Sequence, residues 1–556
     1  MPISVSKSWL RVFSDPRVTR RACLGLIAVA AVWHATRFDF FADDAYIALR
    51  YAKNLLQFHE LAYNPGERVE GFTSPLWVLL LALGGISKAS LVSVARALGG
   101  AACVASIAAT AELWDEFEPE APALFVLAPA ALLAYSVPFA AWSLGGLETP
   151  LFVALYTWTL ALVARAARVR SLRSFFWLGL VGSLATLCRP EAAVLLALSA
   201  PVVALSAVRT PRAFVKLAAW AAPIVALVGG YEVFRLAYYG YPLPNTFYVK
   251  TSGDLWPHGV QYLAFAAGEL SWVWVPALAL AVPAVFVLVR DRRARWDAQR
   301  GALLGPAVAI VAIAVQLVYI ARVGGDFLDL YRFIAPILPA AFCLVGAALQ
   351  RAWQRFGERA AIPVQIAALG LAYAWISPRA GLTAEALTVN AASRRPLHLE
   401  PLGWTRLYGR RWAGIGHFLA RIRVSSDTMA MGAAGAAPFF AGMPNLDLFG
   451  LNDAEIAHHG RVVGDRPGHQ RFASTEYLLS KHPTFILMYP EQTPESSRPL
   501  RNDPFWARNG YLPAEMHVDA SLCDCDGGFY HQFLVRSDRA ASLGAQGVRV
   551  APGERR

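Results

Sequence analysis

Apolar residues in this chain fall in long unbroken runs rather than in the alternating or half-polar patterns of soluble helices and strands. Runs of spanning or near-spanning length occupy about 22–37, 91–111, 121–137, 147–164, 173–188, 190–208, 213–236, 269–289, 301–320, 333–350 and 361–377. Each predicts a membrane helix. A shorter run at 75–87 is only about thirteen residues, roughly 20 Å as a helix against a hydrocarbon core of about 30 Å, so it is expected to stop short of a crossing. The expectation is a mainly α, polytopic helix bundle of about eleven spans over residues 1–377, with a first external loop at 38–74. Beyond 377 the pattern becomes mixed and turn-rich, which predicts a separate soluble α/β domain over 378–556. Helical period over Trp404–Ile422 and a strand-like run at Phe485–Met488 belong to it.

Composition agrees with a lipid-facing chain. Of 556 residues, 56% are apolar and 16% charged, where soluble domains carry about 25% charge, so a soluble multidomain enzyme and a disordered chain are excluded. The formal charge of +12 does not require a nucleic-acid partner. Five stretches beside apolar runs (Met1–Arg21, Arg165–Arg173, Arg209–Lys216, Arg290–Arg300, Arg351–Arg359) hold 20 Lys and Arg against 4 Asp and Glu, and basic short loops of this kind fix membrane orientation. They predict an inner-membrane protein with a cytoplasmic N-terminus and an external C-terminal domain. Cys23, Cys103, Cys188 and Cys343 read as small core residues, and the lone pair Cys523 and Cys525 is weak evidence for a metal. Arg96 is the clear charge inside an apolar run and is expected to face protein.

The polar chemistry crowds the external loops. Within the first of them, over 39–74, Asp43 or Asp44 stands where a helix N-cap belongs, ahead of a helix over 44–57 whose spacing puts Asp43, Tyr46 and Arg50 on one face. A carboxylate at a helix N-terminus is expected to stay ionised and to accept a proton from a hydroxyl, which suits a general base; the alternative is a simple cap. Asn64-Pro65-Gly66 predicts a turn, with Glu70 following it. Glu148 opens a span from the outside, and Arg189-Pro190-Glu191 sits at an outer hairpin; an interfacial ion pair is the alternative role for each. Asn245 and Lys250 close the loop after Tyr238, and Lys250 is one of only six lysines against 45 arginines, a point charge suited to phosphate. Asp326, Asp329 and Arg332 lie at helical spacing, as a site or as an internal ion pair. In the external domain, Asp447 within Asn445–Asp453, and His469 within Arg466-Pro467-Gly468-His469, can close over such a site. His458, His459 and His469 lack zinc spacing, and neither a Walker loop, a Rossmann fingerprint nor a G-x-S-x-G elbow is present.

Taken in order, D-D-A-Y-I-x-x-R-Y-A-x-N (Asp43–Asn54), N-P-G-E-R-V-E-G-F-T-S-P-L-W (Asn64–Trp77), G-L-E-T-P-L-F (Gly146–Phe152), R-P-E (Arg189–Glu191), Y-Y-G-Y-P-L-P-N-T (Tyr238–Thr246) and D-L-F-G-L-N-D (Asp447–Asp453) resemble the polyprenyl-phosphate-sugar-dependent GT-C glycosyltransferases. The likeness is strongest to the actinobacterial terminal arabinofuranosyltransferases that use decaprenylphosphoryl arabinose. The resemblance implies an external active site, a lipid-phosphate sugar donor, Asp43 as catalytic base and Asp44 in support. Two positions depart from the family pattern: Phe58 and Glu60 stand where glycines are common, and Gln470 replaces a glutamate after P-G-H.

The combined expectation is an integral-membrane glycosyltransferase. Asp43, Asp44 and Glu148 are its catalytic candidates. Tyr46, Arg50, Asn64, Glu70, Arg189, Glu191, Asn245, Lys250, Asp326, Arg332, Asp447 and His469 are its substrate and phosphate candidates. Its expected partners are a polyprenyl-phosphate sugar, a glycan, lipid or protein acceptor and membrane lipid, with no nucleic acid, metal or cofactor. A lipid-linked-glycan flippase and a non-catalytic envelope-assembly protein are the competing readings. Charges at the outer helix ends favour chemistry, whereas a transporter would bury them near mid-membrane.

Overall fold

The computed structural model describes residues 15–119, 121, 125–208, 211–250, 254–269, 296–356, 399–464, 466–487, 500, 503–525 and 527–551. They form two compact units that are not consecutive pieces of the chain. One comprises Met1–Asp39, Ala95–Val233 and Trp256–Leu399; the other comprises Phe40–Val94, Phe234–Leu255 and Glu400–Arg556.

The first unit is a helical membrane bundle. Five helices among the described residues are long and apolar enough to cross a bilayer: Pro16–Thr36, Leu91–Phe117, Thr149–Val169, Ala213–Tyr239 and Gly305–Val323. Leu172–Cys188, Ala192–Val208 and Ala335–Ala347 are shorter apolar helices. Pro16–Thr36 starts sharply because Asp15 caps Arg17 N at 2.8 Å and Pro16 takes the first helical position, where no amide is needed. Thr149–Val169 is buried almost throughout. Its Thr157 and Thr159 return their hydroxyls to Val153 O and Leu155 O at 2.7 Å, which satisfies them without a partner helix. Pro223 lacks an amide, and the Ala213–Tyr239 helix relaxes into a π segment at Ile224–Gly229 directly after it.

Ion pairs fix which helix ends lie together. At one end Arg20 meets Asp115 at 2.6 Å, Arg165 meets Glu112 at 2.8 Å and Glu116 at 2.7 Å, and Arg168 meets Glu116 at 2.7 Å. Leu91–Phe117 and Thr149–Val169 therefore run parallel, and the segment between them returns. That return differs from the expected 121–137 span: it is built as Leu127–Ala134 and Val137–Ser143, broken at Tyr135-Ser136 ahead of Pro138. Arg96 also departs from expectation. It sits near the start of its helix, half-exposed, and reaches Asp39 at 3.4 Å instead of burying itself against protein. The runs at 269–289 and 361–377, and basic residues 1–14, 209 and 290–295, lie largely or wholly outside the described residues.

The second unit gathers the first loop, the segment after Phe234 and the C-terminal α/β domain. The 75–87 run appears here as the eleven-residue helix Pro75–Gly85, as its length required. The main sheet has six strands, which in chain order are β1 (Met429–Met431), β2 (Asn445–Asp447), β3 (Phe485–Leu487), β4 (Tyr511–Val518), β5 (Phe529–Arg536) and β6 (Val548–Val550). Across the sheet they lie in the order β2-β1-β3-β5-β4-β6. β1 pairs parallel to β2 and β3, and the three are buried on both faces except Leu446. β5 alternates buried and half-buried residues, the signature of a sheet with one covered face. Leu402–Ile422 forms a long helix in the same domain, and Ala430, Leu448, Ile456, Leu478, Ile486 and Tyr511 make the core.

Candidate functional site

Asp43 lies one residue ahead of the helix cap. Asp44 occupies the N-cap of Ala45–Phe58 without a side-chain cap bond, while the Asp43 carbonyl accepts Tyr46 N at 3.0 Å. The Asp43 carboxyl turns instead to a distant segment. Its Oδ1 accepts Ala436 N at 2.8 Å, the first amide of the helix Ala436–Ala441. Gly435 makes this approach feasible, because a Cβ there would stand 2.1 Å from Asp43 O and 2.5 Å from Oδ2. The result is a buried carboxyl. Burial pushes its pKa up to about 7, reinforced by the charges of Asp44 and Glu400 and only partly opposed by the amides of Ala436 and Gly435. The expectation of a carboxylate held ionised by helix amides is thus overturned, since desolvation outweighs them.

The face shared by Asp43, Tyr46 and Arg50 does exist, but segment 435–443 covers it. Tyr46 packs its ring against Phe439 and Phe440 at 5.4 and 5.3 Å. The Arg50 guanidinium donates to Tyr63 O at 2.7 Å, Met443 O at 2.7 Å, Asn64 Oδ1 at 3.1 Å and Pro438 O. It also lies over the Tyr63 ring at 4.4 Å. Arg50 thereby clamps the first loop to the C-terminal segment with every nitrogen of its fork engaged.

The other candidates of this unit tie loop to loop. Asn64, Pro65 and Gly66 make the expected turn, closed by Glu67 N to Asn64 O at 3.0 Å, with Gly66 at φ 86° where a Cβ would be strained. Asn64 accepts Asn445 N and donates to Asn445 O, both at 3.0 Å. Glu70 pairs with Arg235 at 2.7 Å, and its carbonyl accepts Asn245 N at 2.9 Å. The Asn245 amide donates to Gly450 O at 2.8 Å and Leu451 O at 3.0 Å. Asp447 braces its own loop through Phe449 N and the Asn452 amide and backbone, and burial raises its pKa to about 6. His469 packs edge-on to Phe449, and burial, with the positive charges of Arg466 and Lys250, lowers its pKa to about 4. It is therefore neutral at pH 7. Lys250 is exposed on the surface of this unit.

In the membrane unit the remaining candidates form two ion clusters. Arg189 bridges Glu148 at 3.0 Å and Glu191 at 2.5 Å and lies over the rings of Phe333 and Phe152. Arg332 pairs with Asp326 at 2.5 Å and sits over Trp142 and Phe333. The helical spacing expected over 326–332 is absent. The segment is irregular, Leu330 and Tyr331 both have positive φ, and Asp329 accepts Leu330 N at 2.7 Å. Both arginines are thus committed to carboxylates. Removing one partner of a buried pair strands the others, so Arg189→Gln should cost about 3–5 kcal/mol, read as a lower midpoint of thermal unfolding in detergent. A triple variant that also carries Glu148→Gln and Glu191→Gln should recover most of the loss.

Sequence reasoning did not find Gly435, Ala436, Tyr63 or Glu400. Gly432-Ala433-Ala434-Gly435 directly after an apolar run was the available signal for a close backbone approach. Among the described residues, no three His, Cys, Asp or Glu side chains come together to hold a metal ion.

This membrane bundle with a C-terminal α/β domain has the fold of AglB and ArnT and defines a multi-pass protein of the GT-C type. The oligosaccharyltransferase AglB from Archaeoglobus fulgidus, solved with an inhibitory peptide and a dolichol-phosphate, aligns with a TM-score of 0.52 and 12% identity over 86% of this chain and 70% of its own. Apo ArnT from Cupriavidus metallidurans aligns with a TM-score of 0.50 and 14% identity over 93% and 98%. Within that class the sequence is arabinofuranosyltransferase-like. The terminal beta-(1->2)-arabinofuranosyltransferase of Mycobacterium tuberculosis is 30% identical over 372 residues, 59% of this chain and 55% of that protein. Its namesake from Corynebacterium glutamicum is 28% identical over 367 residues, 59% and 51%. The chain thus spans about half the length of the curated relatives it matches. Residues 402–535 match the model of a domain of unknown function, DUF8728.

Proposed function

We propose that the chain is a glycosyltransferase that moves a sugar from a polyprenyl-phosphate donor to a hydroxyl of a cell-envelope acceptor on the external face of the inner membrane. The N-terminus lies in the cytoplasm and the α/β domain outside. Arabinofuranose is the sugar that the names of its sequence relatives favour, and the dolichol-phosphate held by AglB favours a lipid-phosphate carrier. The carrying observation is the Asp43 carboxyl, buried, hydrogen-bonded by Ala436 N and poised near pH 7. A base with that proton affinity takes the acceptor proton readily yet is half-available at neutral pH. The acceptor oxygen attacks the anomeric carbon, the bond from that carbon to the phosphate oxygen breaks, and polyprenyl phosphate leaves with both electrons. Lys250 supplies positive charge for that phosphate, while Asp44 supports Asp43.

The test is a pH profile measured in membranes with a panel of polyprenyl-phosphate sugars. Only deprotonated Asp43 accepts a proton, so kcat/KM should rise as pH increases through about 7 and level off above it. Lack of transfer from every donor in the panel would overturn the assignment.

A further inference from the structure

The proposed chemistry leaves Cys523 and Cys525 unused. They sit in the connection between β4 and β5, which follows the partnered residues Val518 and Phe529. Their Cα atoms stand 5.2 Å apart, inside the range of about 4.4–6.8 Å that a disulfide spans, and their two Sγ atoms meet. Cys23, Cys103, Cys188 and Cys343 are free thiols. Among the described residues no third ligand joins the pair to hold a metal ion. Asp524, between the two cysteines, ends the short helix Ala520–Cys523 in the left-handed region at φ 51°, which is unfavourable for a residue with a Cβ unless something holds it. Arg410 of the helix Leu402–Ile422 grips it: the guanidinium donates to Asp524 O at 3.1 Å and pairs with the Asp524 carboxylate at 3.3 Å. Farther along, Gly414 lets the same helix close on Cys523, since a Cβ there would stand 2.7 Å from the Cys523 Cβ. The helix also meets the first loop at Gly409 and the segment 436–441 at Gly416, where a Cβ would stand 2.9 Å from Phe41 O and 2.7 Å from Ala437 O respectively. The corner that carries the two cysteines is therefore a support of the helix that backs the Asp43 loop.

We propose that Cys523 and Cys525 are an oxidation site, closed as a disulfide by an extracytoplasmic disulfide-bearing thiol oxidant, and that this bond staples the β4–β5 corner to the helix Leu402–Ile422. The inference rests on the proposed function in one respect only: the α/β domain must face the oxidising side of the membrane, where disulfides form and persist. The chemistry is thiol–disulfide exchange. Cys525 is half-buried and Cys523 buried, so the Cys525 thiolate attacks first. It displaces one sulfur of the oxidant's disulfide and leaves a mixed disulfide. The Cys523 thiolate then attacks Cys525 Sγ, and the oxidant's second sulfur departs. Two electrons pass to the oxidant, which becomes a dithiol, and the two protons of the cysteine thiols balance them. The closed ring removes unfolded conformations of the corner and keeps the Asp524 carbonyl and carboxylate within reach of Arg410.

The experiment counts thiols in the full chain. Cells are quenched with acid, and the denatured protein is alkylated before and after reduction. Of the six cysteines, four should react before reduction and all six after it, with peptide masses assigning the protected two to Cys523 and Cys525. In detergent, reductant should lower the thermal midpoint of the parent by on the order of 2–5 °C, and it should speed hydrogen exchange in Leu402–Ile422 but not in Thr149–Val169. The double variant Cys523→Ser/Cys525→Ser should have the lower midpoint at the outset and no response to reductant; the reductant arm on the parent stands even where that variant folds poorly. Six reactive thiols before reduction, or a midpoint and exchange rates that reduction leaves unmoved, would overturn the proposal. An impermeant maleimide, applied to sealed right-side-out vesicles after an impermeant reductant, separates the bond from the orientation. Six initial thiols with labelling overturn the disulfide alone, and six without labelling overturn the external placement as well. None of these readouts needs a donor, so lack of sugar transfer would count against the proposed activity alone.

Discussion

Asp43→Asn is expected to lower sugar transfer about 10²–10⁴-fold, the usual contribution of a general base, while leaving the chain folded. The amide oxygen of Asn can still accept Ala436 N, so the 2.8 Å link between the first loop and segment 435–436 is kept. What is lost is the capacity to take a proton. Burying a neutral amide also costs less than burying a carboxylate, so the thermal midpoint in detergent should hold or rise. Initial rates from a polyprenyl-phosphate sugar in membranes give the measurement, with Asp44→Asn as comparison. Full activity of Asp43→Asn would remove this residue from the mechanism.

Gly435→Ala should be nearly as damaging, by a different route. The added methyl would stand 2.1 Å from Asp43 O and 2.5 Å from Oδ2, against backbone on one side and the carboxyl itself on the other. Neither neighbour is a flexible chain end that can swing away. The loop at 41–44 or the loop at 432–436 must shift, at a cost of about 1–3 kcal/mol for overpacking. A displacement of about 1 Å at a reacting group can cost about 100-fold in rate, and the same fall in transfer is expected here. Gly544→Ala, at a helical position with open space around it, is the control and should change neither rate nor thermal midpoint. Retained activity in Gly435→Ala would mean that the Asp43 carboxyl does not depend on this contact.

The spans legible in the sequence were those whose hydrophobicity is continuous, such as Leu91–Phe117 and Thr149–Val169. The apolar run over 121–137 misled because hydropathy records burial, not backbone continuity, and Ser136-Val137-Pro138 ends one helix and starts another inside it. Within the site, helical spacing correctly put Asp43, Tyr46 and Arg50 on one face. It could not reveal that Phe439, Phe440, Pro438 and Met443 cover that face, because those residues are nearly 400 positions away. At 326–332 the same spacing argument failed, since Gly324 and Gly325 end the helix before it reaches Asp326.

By itself the sequence determined what short-range chemistry controls: which segments partition into lipid, which carry caps and turns, and that acidic and basic residues gather in the loops between helices. Those outcomes follow from side-chain transfer energies and local backbone preferences, which need no distant partner. The tertiary structure alone decided the state of each charged group. Whether Asp43 is ionised, whether Arg189 is committed to two glutamates and whether His469 carries charge depend on desolvation and on neighbours brought together across hundreds of residues. Electrostatic energy is set by distance in space, and distance along the chain does not fix it.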